Sequence, residues 1–109
     1  MLGEQFSRKW SGYKLDSIQC DTCFVDDINN KLQYFLDIET GMYGDKGYTR
    51  HELLMHTDDF ELVDKVFNIV CQRYDCEMVD DEIQAEHPEQ VLQAMMAVYA
   101  WIEFKRYGL

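Results

Sequence analysis

Hydrophobic and polar residues alternate along the first part of the chain with the two-residue period of β-strands. The runs Ile18–Phe24 and Leu32–Ile38 place apolar side chains, or Thr in the case of Thr22, at every second position, as strands with one buried face do. The segment between them, Asp26–Asn30, consists mostly of Asp and Asn, which favour tight turns. The pattern therefore predicts an antiparallel β-hairpin with strands at about 14–26 and 31–39.

The residues before this hairpin follow a different spacing. Three large apolar side chains recur at intervals of four residues, and these are Leu2, Phe6 and Trp10. Such spacing is typical of an amphipathic helix, so we predict a short N-terminal helix over Leu2–Trp10. Leu15 is out of phase with Ile18, which predicts a bulge or bend at the start of the first strand.

Two later segments, at about 58–74 and 88–107, have the period of long α-helices. The first carries an apolar stripe formed by Phe60, Val63, Phe67, Val70 and Tyr74, which Leu62, Val66 and Ile69 widen. The second contains Ala94–Ile102, nine successive residues that are all apolar or aromatic. A helix that is apolar on all sides is buried on most of them or meets a second chain. We therefore expect this helix to form the centre of the core, packed against the first.

These elements together predict a single α+β domain over residues 1–109, in which the β-hairpin packs on the two long helices and the short N-terminal helix. The segment Asp75–Glu89, between the long helices, carries seven acids and no Lys or Arg. We expect it to be a loop or a short helix. Glycines mark a further loop at 41–48, which lacks the Gly-Lys-Ser/Thr ending of a phosphate-binding loop.

The charge of the chain restricts its partners. There are 21 acids against 10 bases, which gives a net charge of −11. Such an excess repels nucleic acid and anionic membranes, because direct DNA binding requires a basic surface. Residues 1–10 lack the apolar core of a signal peptide, so we expect a cytoplasmic protein with reduced cysteines. The charge favours a basic protein or a cation as the partner.

The four cysteines suggest one metal site. Cys20 and Cys23 have the spacing of zinc ligands, and Cys71 and Cys76 would complete a four-thiolate set. Residues three apart on a strand point to opposite faces, so we expect ordinary thiols and neither a metal nor a cofactor. The histidines lack ligand spacing, and adjacent acids diverge in direction. Because the sequence offers no arrangement of nucleophile, base and acid, we expect the protein not to be an enzyme.

The acid-rich segment has two interpretations. It is either a solvated loop or a negative patch that docks onto Lys and Arg of a partner, where complementary charge speeds association and selects the partner. In the second interpretation, aromatic residues near the patch would anchor the contact. The expected contact residues are Asp75, Glu77, Asp80, Asp81, Glu82, Glu86, Asp58, Asp59, Tyr43 and Tyr48.

In size, acidity and lack of a catalytic motif, the chain resembles the small acidic inhibitors of microbial conflict. These include immunity proteins against nuclease toxins and phage anti-CRISPR or antirestriction proteins. The resemblance implies a nucleic-acid mimic that occupies the basic surface of a nuclease or of a CRISPR or restriction component. The alternative is an acidic dimeric chaperone or adaptor, similar to type III secretion chaperones, that binds through the Met and Trp face of Ala94–Ile102. That face would also serve a homodimer.

Overall fold

The computed structural model describes residues 5–11, 14–26 and 30–108. In this part the chain is an α+β structure with a six-stranded antiparallel sheet and three helices. In chain order the elements are β1 (Gln5–Ser11), β2 (Lys14–Val25), β3 (Lys31–Asp37), β4 (Tyr43–Gly44), α1 (Tyr48–His56), α2 (Phe60–Tyr74), β5 (Glu77–Val79), β6 (Glu82–Ala85) and α3 (Pro88–Arg106). The strands lie in the order β1-β2-β3-β4-β6-β5.

The predicted β-hairpin is confirmed, because β2 and β3 pair in antiparallel fashion with Cys20 opposite Tyr34. Side chains alternate between the two faces of a strand. The face that carries Cys20, Leu32 and Tyr34 is buried in the core that the helices cover. The hairpin therefore buries this face in the core, as the alternation of its residues indicates, while Phe35 on the opposite face is covered by Tyr48 and Lys46.

The bulge predicted at the start of β2 is also confirmed. Where Trp10 of β1 pairs with Leu15, the register shifts by one residue and leaves Asp16 as an extra residue. The extra residue returns Leu15 to the same face as Ile18, which resolves the difference in phase between them.

The prediction of an N-terminal helix is wrong in the part that the structure describes, where Gln5–Ser11 forms strand β1. Residues 2–4 of the predicted helix lie outside the described residues. A spacing of four is compatible with both periods, since Phe6 and Trp10 share one face of a strand as well. An isolated helix this short is marginal in water, whereas pairing with β2 gives the segment a row of hydrogen bonds. Phe6 and Trp10 stay exposed, at 66% and 59% of their surface.

The acid-rich segment is a β-hairpin, so the prediction of a loop or short helix there is wrong. Strand β5 pairs with β6, with Met78 opposite Ile83. The connection is the pair Asp80–Asp81, which has φ angles of 51° and 65°. Two-residue hairpin turns of type I′ need a positive φ at both positions, and Asp tolerates it better than most residues. The burial of Ile83 and Ala85 on alternate positions of β6 fixes its register.

Part of the predicted 41–48 loop is strand β4, which joins the two hairpins. Tyr43 and Gly44 pair with β3 on one side and with β6 on the other. A Cβ atom added at Gly44 would lie 2.9 Å from the carbonyl oxygen of Ile83. Glycine at this position therefore lets β6 approach β4 closely enough to complete the sheet.

Helix α3 is the centre of the core, as predicted from Ala94–Ile102. It packs on β3, β4 and β6 and against both other helices. Its buried residues are Val91, Leu92, Ala94, Met95, Val98, Tyr99 and Ile102. Among the described helices, none has both the length and the apolar character needed to cross a membrane.

The apolar stripe predicted for the first long helix is wider than the face that α2 buries. Val63, Val66, Phe67 and Cys71 are buried, whereas Phe60 and Ile69 are each 61% exposed. The described chain therefore departs from the predicted architecture in having a larger sheet and no helix in residues 5–11.

Candidate functional site

The acids of the β5–β6 hairpin lie at one edge of the sheet. Glu77 and Asp80 are exposed on β5 and its turn, and Glu86 is exposed just after β6. The end of α2 brings Asp75 to the same place, because that residue adopts a left-handed conformation and its N–H donates to the carbonyl of Cys71. Asp75, Glu77 and Glu86 line one shallow cleft. Three of the predicted contact residues thus lie together.

The other acid of the turn, Asp81, is paired with a base. The Nε atom of Arg50 lies 3.6 Å from the carboxylate of Asp81, and its Nη2 atom lies 3.3 Å from that of Asp64. The side chain of Arg50 is only 16% exposed. Arg50 therefore holds the hairpin turn to α2 and reduces the charge that Asp81 presents to a partner.

Glu82 has a local structural role. Its Oε1 atom accepts the backbone N–H of Lys46 at 3.3 Å. Burial raises the pKa of the Glu82 carboxyl, and the neighbouring Asp45 raises it further, against the opposing effect of the Lys46 hydrogen bond. The Glu82 carboxylate therefore faces the loop at Lys46 and is less accessible to a partner than the exposed acids of the hairpin.

Asp58 and Asp59 lie at the other end of α2, where Asp59 is about 24 Å from Asp75 at 1.5 Å per residue. Asp59 is the N-cap, and its Oδ1 atom accepts the N–H of Leu62 at 3.1 Å. Both residues are exposed. The predicted acidic residues are therefore spread along this helix, with Asp59 and Asp75 at its two ends and Asp81 joined through Arg50 to Asp64 in its first half.

The two predicted tyrosines occupy different environments. Tyr43 is half-buried, and its ring packs edge-on against Tyr34 at 6.0 Å between centroids. Tyr48 is 54% exposed, and its ring packs against Phe35 at 5.9 Å. Lys46 covers the same Phe35 ring, with Nζ 5.2 Å from the centroid. Tyr48 is thus the more accessible of the two.

The sequence analysis missed the structural role of Asp45, which is fully buried. Its Oδ1 atom accepts the N–H groups of Gly47 at 2.9 Å and Ile83 at 3.0 Å, and its Oδ2 atom accepts that of Thr49 at 3.1 Å. The local signal was the Asp-x-Gly spacing, typical of a side chain that hydrogen-bonds the backbone two residues on. This carboxylate directs the chain from β4 into α1.

A second feature missed from the sequence is a cleft of about 470 Å³ between the first half of β3, α1 and α3. Its floor contains three buried residues, Leu32, Met95 and Tyr99. The remaining lining is polar or partly exposed and consists of Asp26, Asn30, Lys31, Gln33, Tyr48, His51 and Glu52. These residues come from three separate elements and the connection before β3, so no local pattern of the sequence brings them together.

The cysteines are dispersed. Cys20 is buried in the sheet and Cys23 is exposed, while Cys71 is buried in α2. Burial raises the pKa of Cys71 to about 11 and that of Cys76 to about 12, so both are neutral thiols at ordinary pH. Within residues 5–11, 14–26 and 30–108, no group of three or more His, Cys, Asp or Glu side chains is placed to hold a metal ion.

Comparison of the chain with known protein families, with curated proteins and with solved structures finds no match.

Proposed function

We propose that the protein is an acidic inhibitor that binds the basic surface of a nucleic-acid-handling protein, such as a nuclease or a CRISPR or restriction component. The observation that carries this proposal is the acidic cleft of Asp75, Glu77 and Glu86 at the open end of the β5–β6 hairpin, away from its turn. The whole segment 75–89 contains no Lys or Arg. A protein that normally holds phosphates presents the complementary charge.

The secondary structure of the segment supports the proposal. A hairpin in a sheet holds its carboxylates at fixed spacings, so less side-chain and backbone freedom is lost on binding than with a loop. Arg50 and the α2 C-cap fix the two ends of this acidic surface. Long-range attraction would raise the association rate and contribute selectivity among partners.

The test begins by identifying the partner. The immobilised full chain is incubated with a lysate of its native host, and retained proteins are eluted by steps of rising salt and identified by mass spectrometry. Affinity for the purified partner is then measured across a range of salt concentrations. We expect a basic partner whose affinity falls steeply with salt, because exposed charges are screened. An affinity independent of salt would contradict the charge mechanism.

A pair of matched variants locates the contact. Glu77→Gln/Glu86→Gln removes two charges from the cleft, and Asp21→Asn/Glu103→Gln removes two charges elsewhere. We expect the first variant to weaken binding by about ten-fold or more and the second by about two-fold or less. Charges outside the contact, such as those of Asp21 and Glu103, affect binding mainly through the long-range electrostatic potential of the protein. Equal losses would show that only the net charge matters.

A second candidate function, the dimeric chaperone or adaptor, is supported by the outer face of α3. Met95 belongs to the core and is only 2% exposed, but Met96 and Phe104 are 41% and 56% exposed. They are eight residues apart and share one side of the helix. Size-exclusion chromatography with light scattering distinguishes this candidate: a stable dimer that Phe104→Asp dissociates would support it, and a monomer would exclude it.

A further inference from the structure

Strand β3 is paired along only half of its edge on the β4 side. Strand β4 pairs with Phe35 and Leu36 alone, and residues 31–34 have no strand beside them on that edge among residues 5–11, 14–26 and 30–108. The open edge coincides with the cleft between β3, α1 and α3, whose lining includes Lys31 and Gln33.

The backbone groups of Lys31 and Gln33 point toward this open edge. Asp37 donates its N–H to the carbonyl of Met42 on the β4 side, at 2.9 Å. Leu32 accepts the hydroxyl of Thr22 on the β2 side, at 2.9 Å. Hydrogen-bonding direction alternates along a strand, so the odd-numbered residues present both N–H and C=O toward β4 and the cleft.

The gap is built into the fold, because β4 cannot extend along β3. Phe35 lies opposite Gly44, so a longer β4 would place Lys46 opposite Gln33. Instead, Lys46 has a φ of 61°, and its N–H donates to the carboxylate of Glu82. The carboxylate of Asp45 fixes this turn through its three backbone hydrogen bonds. The turn at Lys46 therefore ends β4 before it can pair with Gln33.

The cleft beside this edge matches an extended peptide in size and chemistry. Its volume of about 470 Å³ lies within the range of ligand sites. A strand lying beside Lys31 and Gln33 would direct alternate side chains to the floor formed by Leu32, Met95 and Tyr99. Its other side chains would face the polar rim, where His51 and Glu52 lie.

We infer that the cleft binds an extended peptide segment of a partner protein, which adds to β3 as a short antiparallel strand in line with β4. Backbone hydrogen bonds to Gln33 and Lys31 give the affinity, and the apolar floor selects a peptide with an apolar side chain between polar ones. This site is separate from the acidic cleft at the β5–β6 hairpin and does not depend on the proposed inhibitor function.

The test uses a phage-displayed library of random peptides, panned against the immobilised full chain. We expect the selected peptides to share an apolar residue flanked by polar ones. When a selected peptide is added to isotope-labelled protein, the amide protons of Lys31 and Gln33 should become protected from exchange. Failure to select any peptide, or protection that falls elsewhere on the protein, would overturn the inference.

Two substitutions at one position supply the matched control. Gln33→Pro removes the N–H that faces the cleft but no hydrogen bond between β2 and β3, because proline is tolerated where the N–H faces an open edge. Gln33→Thr changes the side chain and keeps the N–H. We expect Gln33→Pro to weaken peptide binding by about ten-fold or more and Gln33→Thr by about three-fold or less. Equal peptide affinities of the two variants would show that the peptide binds without using the Gln33 N–H, and would contradict strand addition.

A further variant separates this site from the acidic surface. Glu77→Gln/Glu86→Gln should leave peptide affinity unchanged within about two-fold, because the two sites use different residues. A parallel loss would place the peptide on the hairpin and contradict the inference. If Gln33→Pro fails to fold, the protection pattern in the unsubstituted protein still decides.

Discussion

At the scale of single residues, the junction between sheet and helices depends on the carboxylate of Asp45. It is fully buried and accepts three backbone N–H groups, from Gly47, Thr49 and Ile83. Two of these belong to the turn into α1 and its first residues, and the third belongs to β6. One side chain therefore ties the adjacent turn and the start of α1 to strand β6, which is 38 residues away in sequence.

Substitution of Asp45 should be costly. Asp45→Ala leaves three N–H groups without an acceptor, and we expect a loss of about 3 kcal/mol or more in the free energy of unfolding. Asp45→Asn keeps one acceptor oxygen and should lose less, about 1–3 kcal/mol. Urea denaturation measures both. The exposed Asp58→Asn is the control, with an expected change within about 0.5 kcal/mol, and a similar value for Asp45→Ala would contradict the assignment.

The thiols offer a second test at this scale. Because the pKa values of Cys71 and Cys76 are raised to about 11 and about 12, the reactive thiolate is scarce in the folded state below those values. Mild alkylation with iodoacetamide should therefore modify the exposed Cys23 first. Peptide mass spectrometry reads the sites, and the denatured chain, in which all four cysteines react, is the control. Early modification of Cys76 would contradict the expected protection.

At the scale of elements, the β5–β6 turn is strained at two residues. Asp80 and Asp81 both have positive φ angles, a conformation that side chains with a Cβ atom tolerate poorly. The type I′ turn favours Asn followed by Gly. We expect Asp80→Asn/Asp81→Gly to raise the free energy of unfolding by about 0.5–1 kcal/mol, despite the loss of the exposed contact between Asp81 and Arg50.

Thermal unfolding measures this change, and Asp80→Ala/Asp81→Ala is the control. That variant removes the same charges but gives a residue that is poorly suited to the turn, so the melting temperature should fall. An increase in both variants would mean that charge repulsion, and not backbone strain, limits the hairpin.

Helix α3 gives a test with adjacent residues of the same type. Met95 is 2% exposed, and Met96 is 41% exposed. Met95→Ala should cost about 2–5 kcal/mol because it opens a cavity in the core. Met96→Ala should change the stability by about 0.5 kcal/mol or less. Chemical denaturation compares the two, and equal losses would show that the outer face of α3 is also covered.

The elements differ in how far the sequence could predict them. In β2 and β3 the alternation is long and is bounded by turn residues, so it has one interpretation. Strand β5 has three residues and β6 has four, which is too short for a period to be recognised among so many acids. In β1 the spacing of Phe6 and Trp10 fits helix and strand equally. The presence of an open edge on β2 decides the matter, and that is a tertiary property.

At the scale of the whole molecule, charge could be predicted and its arrangement could not. From the sequence alone, Asp58 and Asp75 are equivalent candidates for the acidic contact surface. In the structure, the full length of α2 separates them. The pairing of Asp81 with Arg50 and the partial burial of Glu82 depend on contacts across more than 30 residues. The cleft beside Gln33 depends on where β4 ends, which the buried hydrogen bonds of Asp45 determine.

The sheet extends beyond the layer of helices. Strand β1 packs on β2, and neither strand makes an extensive contact with any helix in the part of the chain that the structure describes. Segments with few buried apolar contacts open without unfolding the rest. Strand β1 should therefore detach while the remainder of the protein, including β2 with its buried Cys20, stays folded.

Limited digestion with trypsin would reveal this partial opening. The first cleavage should occur after Arg8 or Lys9, in β1, before Lys65 or Arg73 in α2 is cut, although all four are exposed. Cleavage that begins in α2 would contradict the predicted opening of β1. The overhang that leaves Phe6 and Trp10 uncovered thus makes β1 the most vulnerable part of the described fold to proteases, and any ligand that holds it in place would lengthen the lifetime of the intact chain.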